Sequence, residues 1–308
     1  MTDPDLSVRV GSIELPNPVM TASGTAGHST ELAPYLNIAA LGAFVVKSLS
    51  VMPWDGNPAP RVHETPAGMI NSVGLQGPGV ESWCRDELPV LVGANVQRVV
   101  ASIWGRTVEE YRAAAVALAD VPAEVIAIEV NLSCPNLDGG RHLFAHDAEL
   151  SATVIGQVVD SVQRPVWAKL SPNTDRLADV AGAVAGAGAE AVTLVNTLLG
   201  MVIDTEERRP LLGGGGGGLS GPAMHPVAVR AVYDCRAAHP DLPIIGVGGI
   251  GTARDAVELM LAGANAVQVG TASFADPRAP ATVLEGLRDW CAQHEVRRIS
   301  SLVGGAHG

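Results

Sequence analysis

The sequence predicts an α/β fold, and within that class a (β/α)8 TIM barrel. Short apolar segments of strand length recur along the chain, each followed by a helix-like stretch. Because this alternation implies parallel strands joined by crossovers, eight such units favour a closed barrel over an open doubly wound sheet. The predicted strands are Pro18–Ser23, Phe44–Ser48, Val99–Ile103, Val125–Asn131, Val166–Leu170, Ala191–Asn196, Pro243–Val247 and Ala266–Gly270.

Helical patterns lie between these strands, for example at 107–119, 147–161, 175–187 and 253–262. The last of them has the clearest ends. Thr252 is a good N-cap residue, Asp255 places a negative charge in the first turn, and Gly263 can end the helix.

Further segments stand outside the repeating units. The stretch VRVGSIELPNP predicts an N-terminal β-hairpin that turns at Gly11-Ser12 and plugs the bottom of the barrel. Insertions follow strand two (49–80), strand four and strand six (197–226). Loops after barrel strands lie on the catalytic face, so we expect these insertions to build the site. We see no domain boundary, which predicts a single domain over residues 1–308.

Composition and charge narrow the possible partners and compartment. The 308 residues are 47% hydrophobic with a net charge of −12, and an acidic surface repels a phosphate backbone, which argues against a nucleic-acid partner. The N-terminus has no basic-then-apolar signal pattern, and no 18-residue apolar run predicts a membrane helix. The four cysteines are too widely spaced for a CxxC pair or an iron–sulfur run, so we expect a cytoplasmic protein.

Glycines after the last two strands predict a phosphate site. GVGGIG at 246–251 follows strand seven instead of opening a fold, so it is not interpreted as a dinucleotide fingerprint. Gly248-Gly249 and Gly270-Thr271 would instead aim backbone N–H groups at a phosphate, helped by the positive end of the helix starting near Thr252. The alternative is a tight turn without a ligand. The six glycines 213–218 are no P-loop, and indicate either a flexible loop or close backbone approach to a ligand.

Polar side chains end four predicted strands. Lys47, Asn131, Lys169 and Asn196 would meet at one end of the barrel, where buried ammonium groups require an anion or a dipole. Two lysines and several amides suit a planar ligand with carboxylate, carbonyl and ring N–H groups.

Cys134 lies just past strand four on the same face and has no adjacent histidine. A thiol there can act as a general base for a weakly acidic C–H, whereas Cys84, Cys235 and Cys291 fit inert positions on helices. His142 and His146 are four residues apart but lack further ligands, so no metal site is expected.

The chain resembles the FMN-dependent dihydroorotate dehydrogenases of pyrimidine synthesis over nearly its whole length. The motifs that carry the resemblance, in order, are ASGT (22–25), VKS (46–48), GNPAPR (56–61), MINSVGLQGPG (69–79), NLSCPN (131–136), AKLSPN (168–173), VNT (195–197), GGLSGPA (217–223), GVGGI (246–250) and VGTA (269–272). The family fold is a (β/α)8 barrel with FMN at the carboxyl ends of the strands, in agreement with the fold predicted above.

The resemblance also implies residue roles. Cys134 would remove the C5 proton of dihydroorotate while the C6 hydride passes to flavin N5, and a loop from about Ser133 to His142 would close over the substrate. The residues implied for the pyrimidine and its carboxylate are Lys47, Asn71, Gly74, Leu75, Asn131, Asn136, Asn196 and Thr197. Those implied for FMN are Ala22, Ser23, Gly24, Lys47, Ser48, Asn131, Lys169, Val195, Gly221, Gly248, Gly249, Gly270 and Thr271.

The motifs are more similar to class 1B than to the fumarate-using class 1A, and a cysteine base separates the chain from the membrane-bound class 2. Class 1B implies a homodimer of this chain with a second subunit carrying FAD and a [2Fe–2S] cluster, a heterotetramer that passes electrons to NAD⁺. The sequence departs from the family at Gly77, where asparagine is usual, at Ala145-His146, where a glycine is common, and in its uninterrupted six glycines.

Other functions stay open at this point. A dihydropyrimidine dehydrogenase-type flavoprotein would act on uracil, but that family usually has SCPHG where this chain has Cys134-Pro135-Asn136. A non-redox phosphate-binding barrel, such as an isomerase or aldolase, would purify colourless. A barrel kept only as a scaffold for a partner would have no turnover to lose.

Overall fold

A computed structural model of the chain describes residues 3–133 and 144–308, and confirms the predicted barrel. Eight parallel strands, numbered β1 to β8 in chain order, form one sheet. Their spatial order in the sheet is β1-β8-β7-β6-β5-β4-β3-β2. Each predicted strand corresponds to one of them, with ends that differ by at most three residues. They are β1 (Val19–Thr21), β2 (Phe44–Val45), β3 (Val99–Ile103), β4 (Val125–Asn131), β5 (Val166–Lys169), β6 (Ala191–Leu194), β7 (Ile244–Val247) and β8 (Ala266–Val269).

The barrel closes between β1 and β2. Met20 forms a parallel bridge to Ala43, and the N–H of Gly42 donates to the carbonyl of Val19 at 2.7 Å. A side chain at position 42 would collide with the carbonyl oxygen of Asn17, so the seam requires a glycine.

Helices surround the barrel, but not after every strand. Between β1 and β2 lies only the 3-10 helix Ile38–Ala40, so the prediction of a helical stretch after each strand is wrong there. Positive φ angles at Gly24 and Gly27 keep that connection irregular. The α-helices are Val80–Ser82 and Leu88–Gly93, joined by the π-helical Trp83–Glu87, then Val108–Val116, Ala148–Val159, Leu177–Gly186, His225–Ala238, Ala253–Ala262, Ala272–Ala275 and Ala279–Gln293. Further 3-10 helices are Phe144–His146, Pro222–Met224 and Ile299–Leu302.

The predicted N-terminal hairpin is present and lies at the bottom of the barrel. Val8–Val10 pairs antiparallel with Ile13–Leu15 through a turn at Gly11 and Ser12. The N–H of Ser12 donates to the carboxylate of Glu190 at 2.8 Å, and Glu190 directly precedes β6. The hairpin therefore covers the amino-terminal ends of the strands, opposite the predicted site.

The insertions after β2 and β6 combine into one antiparallel sheet, which we call the cap sheet. Its strands, in spatial order, are Leu198–Gly200, Gly217–Ser220, Gly68–Asn71 and Val62–Thr65. Two of the six consecutive glycines are therefore strand residues, and the flexible-loop interpretation is wrong for them. A side chain at Gly217 would meet the carbonyl oxygen of Asn71, and one at Gly218 would meet the Thr197 hydroxyl. The close approach of these neighbouring protein atoms explains both glycines.

A small ribbon, Ile203–Asp204 with Arg209–Pro210, follows the first cap-sheet strand in sequence. Most of the insertion after β4 lies outside the described residues. Among the helices of the described residues, none is both long and apolar enough to cross a membrane.

Candidate active site

A cavity of about 280 Å³ opens at the carboxyl ends of the barrel strands, beneath the cap sheet. Every predicted site residue in the described part of the chain lines it. They are Ala22, Ser23, Gly24, Lys47, Ser48, Asn71, Gly74, Leu75, Asn131, Lys169, Val195, Asn196, Thr197, Gly221, Gly248, Gly249, Gly270 and Thr271. The predicted base Cys134 and the predicted substrate residue Asn136 lie outside the described residues. The structure thus brings the predicted residues together, while the ligand of each stays a prediction.

Lys169, at the end of β5, is a charge-compensated ammonium. Its Nζ lies 3.6 Å from Glu129 Oε1 and donates to Gln268 Oε1 at 3.2 Å. Glu129 Oε2 in turn accepts hydrogen bonds from Gln268 Nε2 at 2.6 Å and from Thr193 Oγ1 at 3.0 Å. All four side chains are buried in the barrel. Because one carboxylate balances the ammonium, Lys169 can face a neutral acceptor such as a carbonyl or a ring nitrogen.

Lys47 lies two residues beyond the carboxyl end of β2, and its positive charge is not balanced in this way. No carboxylate of the described residues lies within 4.0 Å of its Nζ. Burial lowers the pKa of Lys47, and the nearby positive charge of Arg61 lowers it further. A half-buried ammonium without a nearby carboxylate has an electrostatic cost that an anionic ligand reduces. Lys47 is therefore the group in this cavity best suited to a carboxylate.

The amide side chains are held in fixed orientations. Asn196 Nδ2 donates to Asn131 Oδ1 at 3.0 Å, and the N–H of Ser133 donates to the same oxygen at 3.2 Å. From the cap sheet, Asn71 Nδ2 donates to the carbonyl of Gly218 at 3.3 Å. Barrel strands and cap sheet thus present hydrogen-bonding groups to one cavity from two sides.

The glycine turns after β7 and β8 have the features of an anion site. Within residues 3–133 and 144–308, no acceptor pairs with the backbone N–H groups of Gly248, Gly249, Gly270 or Thr271. The Thr271 hydroxyl donates to Ser220 Oγ at 2.8 Å, which ties the turn to the cap sheet. Several unpaired N–H groups lining one cavity suit a phosphate.

The helix starting near Thr252, predicted to direct its positive end at the phosphate, has its own carboxylate at that end. The Asp255 side chain accepts from the N–H groups of Gly251 and Thr252 at 3.0 and 2.8 Å, completing a capping box. Although burial acts in the opposite direction, these hydrogen bonds lower the pKa of Asp255. The helix that begins beside the glycine turns is instead Ala272–Ala275, directly after Thr271.

Sequence reasoning missed two residues of the site, Gln268 behind the cavity and Asn173 in its lining. Gln268 interrupts the apolar β8, and a polar residue in a fully buried strand was the available indication of its role. Asn173, the last residue of the AKLSPN motif, also lines the cavity. Its amide donates to the Thr197 carbonyl at 3.0 Å and accepts from the N–H of Leu199 at 2.8 Å, which anchors the cap sheet.

The other cysteines have the environments expected of inert residues. Cys235 and Cys291 are buried, and Cys84 is half-buried in the π-helical segment. Burial raises the pKa of Cys235 to about 12 and also raises the pKa values of Cys84 and Cys291. None of these thiols lines the cavity.

Comparison with known proteins identifies the family. The family model described as dihydroorotate dehydrogenase matches residues 5–290. This chain belongs to the dihydroorotate dehydrogenase family. The resemblance in the motifs is therefore confirmed, and the barrel and cavity above are those of a dihydroorotate dehydrogenase-family chain.

Full-length relatives carry more specific names. A protein of Desulforudis audaxviator (strain MP104C) is 52% identical over 301 residues, covering 98% of this chain and 97% of the relative. Proteins of Geobacter sp. (strain M21) and Geotalea uraniireducens (strain Rf4) are 47% and 46% identical over 304 residues, covering 99% of each chain. All three are named dihydroorotate dehydrogenase B (NAD(+)), catalytic subunit.

The family implies a flavin cofactor, and the cavity fits one. The unpaired N–H groups of the glycine turns would hold a phosphate, and the compensated Lys169 would face the ring system. The name "catalytic subunit" implies a partner subunit for those relatives.

Proposed function

We propose that this chain oxidises (S)-dihydroorotate to orotate in de novo pyrimidine synthesis, using FMN and passing electrons to NAD⁺ through a partner subunit. One observation carries the proposal. A single cavity holds the Lys47 ammonium and a separate row of backbone N–H groups on the turns after β7 and β8. Among the described residues, no carboxylate lies within 4.0 Å of that ammonium and no acceptor pairs with those N–H groups. That arrangement matches two anionic groups on two ligands, a substrate carboxylate and a cofactor phosphate. The names of the full-length relatives supply the substrate and the acceptor.

The substrate side consists of Lys47 and the amides. Lys47 would pair with the carboxylate at C6 of dihydroorotate, a group that uracil lacks. Asn71, Asn131, Asn136 and Asn196 would hold the ring carbonyl and N–H groups, with Gly74, Leu75 and Thr197 beside them. This charged contact favours dihydroorotate over a dihydropyrimidine without a carboxylate.

The cofactor side lies along the remaining strand ends. Gly221, Gly248, Gly249, Gly270 and Thr271 would hold the phosphate and ribityl chain. The residues that would contact the ring system are Ala22, Ser23, Gly24, Lys47, Ser48, Asn131, Lys169 and Val195. These residues would hold FMN, which would supply an acceptor for the hydride at C6 of the substrate.

Cys134 is the proposed base. It follows Asn131, whose side chain lines the cavity, by three residues. A thiolate at Cys134 would take the C5 proton as the C6 hydride leaves, and the segment 133–142 would exclude water from the closed site.

The proposed partner is a second subunit with FAD and a [2Fe–2S] cluster, bound to a homodimer of this chain as a heterotetramer in the cytoplasm. Val62, Leu199 and Phe274 support a partner near the cavity, because each lines it while more than half of its surface is exposed to solvent. Exposed apolar side chains at the mouth of a redox site suit a docking surface. In this proposal residues 1–308 form one FMN-binding domain.

The deciding experiment mixes the purified FMN-loaded chain with dihydroorotate under anaerobic conditions and follows the visible flavin absorbance. We expect the wild-type protein to bleach. Cys134→Ser should keep its bound FMN and bleach about 10²–10⁴-fold more slowly, since the base is weakened. The wild-type rate should rise with pH toward the ordinary thiol pKa of about 8.5.

Each other outcome has a defined meaning. Bleaching by dihydrouracil but not by dihydroorotate would favour the dihydropyrimidine dehydrogenase-type reaction. A protein that stays colourless after FMN is added would contradict the flavin site. Equal rates for Cys134→Ser and wild type would remove Cys134 from the role of base.

A further inference from the structure

His225 lies directly behind the glycine turn after β7, outside the cavity. It is the first residue of the helix His225–Ala238 and is 9% exposed. Its Nδ1 lies 2.8 Å from the carbonyl oxygen of Gly248, and its Nε2 lies 3.3 Å from Glu258 Oε2. A carbonyl oxygen only accepts, so Nδ1 carries the proton in this contact.

This contact fixes one peptide unit. The bond between Gly248 and Gly249 is trans and planar, so its C=O and N–H point in opposite directions. Because the Gly248 carbonyl points toward His225, the N–H of Gly249 points away from the helix. That N–H has no acceptor among the described residues, and Gly249 lines the cavity.

The peptide unit needs such a restraint. Gly248 and Gly249 have φ angles of 139° and 67°, a region in which side chains are strained. The helix also packs closely against both, since an added Cβ would lie 2.7 Å from Ala228 Cβ at position 248 and 2.6 Å from His225 Cβ at position 249. Two adjacent glycines satisfy this packing, but they restrict the orientation of the peptide between them less than other residues would.

We propose that His225 is a positioning residue for the cofactor phosphate, holding the Gly248–Gly249 peptide so that its N–H faces the phosphate of FMN. The inference rests on the proposed function. His225 touches neither substrate nor cofactor in this role; it acts through the backbone of the turn. Its effect is therefore specific to a ligand that carries the phosphate.

The test compares FMN with riboflavin, which lacks the phosphate, by fluorescence titration of the apoprotein. In His225→Asn, the amide Nδ2 takes the place of the imidazole Nδ1 and can still donate to Gly248. In His225→Gln, the amide lies where Nε2 was, and the donor to Gly248 is lost. We expect His225→Gln to raise the Kd for FMN roughly tenfold or more and to leave the Kd for riboflavin unchanged, whereas His225→Asn stays close to wild type.

His239→Asn is the matched control, because His239 follows the same helix and its Nε2 donates to the carbonyl of Ala178, a donor that asparagine does not replace. It should change neither Kd. A variant that binds riboflavin normally has a folded cavity. If His225→Gln does not fold, His225→Leu, which also lacks the donor, takes its place.

Two results would overturn the role of His225. One is a wild-type preference for FMN over riboflavin in His225→Gln. The other is an equal loss of that preference in His225→Asn and His225→Gln. Wild-type protein that binds FMN no better than riboflavin would contradict the phosphate site of the proposed function itself, and the inference with it.

Discussion

At the scale of single residues, two lysines in one cavity differ in what surrounds them. Lys169 is paired with Glu129 and donates to Gln268, whereas Lys47 has no carboxylate near it among the described residues. The sequence placed both at strand ends but gave no means to tell them apart, because the compensating carboxylate comes from a different strand. This difference supports the proposal that the anionic ligand binds at Lys47.

We predict that Lys47→Met raises the KM for dihydroorotate by about one to two orders of magnitude, the loss of one charge-assisted contact. The same substitution should raise the melting temperature of the apoprotein, since it removes a half-buried charge that has no carboxylate partner among the described residues. Steady-state kinetics at saturating FMN and thermal unfolding of the apoprotein check the two effects. An unchanged KM would exclude Lys47 from binding the carboxylate.

The lowered pKa of Lys47 also has a sign that can be tested. In the folded apoprotein this group binds its proton more weakly than in the unfolded chain, where the pKa is about 10.4. The stability of the folded state therefore rises as pH increases through the interval between the folded and unfolded pKa values. Lys47→Met should lose this part of the pH dependence.

At the scale of secondary-structure elements, local patterns predicted most of the fold. The helix Ala253–Ala262 has the predicted ends, and β3 and β4 match residue for residue. Their boundaries depend on capping residues and on apolar runs, which are local. The cap sheet was not predicted, because Gly68–Asn71 pairs with Gly217–Ser220 across more than a hundred residues and no local pattern specifies that pairing.

The cap sheet leads to a prediction about its glycines. In Gly217→Ala, the new Cβ would collide with the carbonyl oxygen of Asn71, so the two strands must separate and Asn71 must move. We expect the Kd for orotate, the reaction product that binds at the substrate position, to rise roughly tenfold or more. Gly156→Ala is the control, because nothing lies within 4 Å of its added Cβ in the helix Ala148–Val159. That substitution should stabilise the protein by about 0.5–1 kcal/mol and leave orotate binding unchanged. Equal orotate affinities in the two variants would contradict a role for the cap sheet in substrate binding.

At the scale of the whole molecule, a polar cluster lies inside an otherwise apolar barrel. Glu129, Lys169, Thr193 and Gln268 come from β4, β5, β6 and β8, and together they join half of the strands. The sequence indicated Glu129 and Lys169 as strand residues, but their contact follows only from closure of the barrel and the register of its strands. Replacing such a cluster by apolar residues could keep the barrel folded, yet it would remove the ammonium from the cavity floor.

The same cluster makes the folded state depend on Glu129. In Glu129→Gln, Lys169 stays inside the barrel but loses its counter-ion. The new amide also has to accept the hydrogen bonds that Thr193 and Gln268 donate to the Glu129 carboxylate. Removing one partner of a buried ion pair costs about 3–5 kcal/mol, and we expect a loss of that order in the free energy of unfolding, measured by urea denaturation. The exposed pair Arg176–Asp179 provides the control, because Arg176→Ala should give no measurable change. If the two substitutions have equal effects, the barrel does not depend on the ion pair, and the position of Lys169 must be set by Gln268 and packing alone.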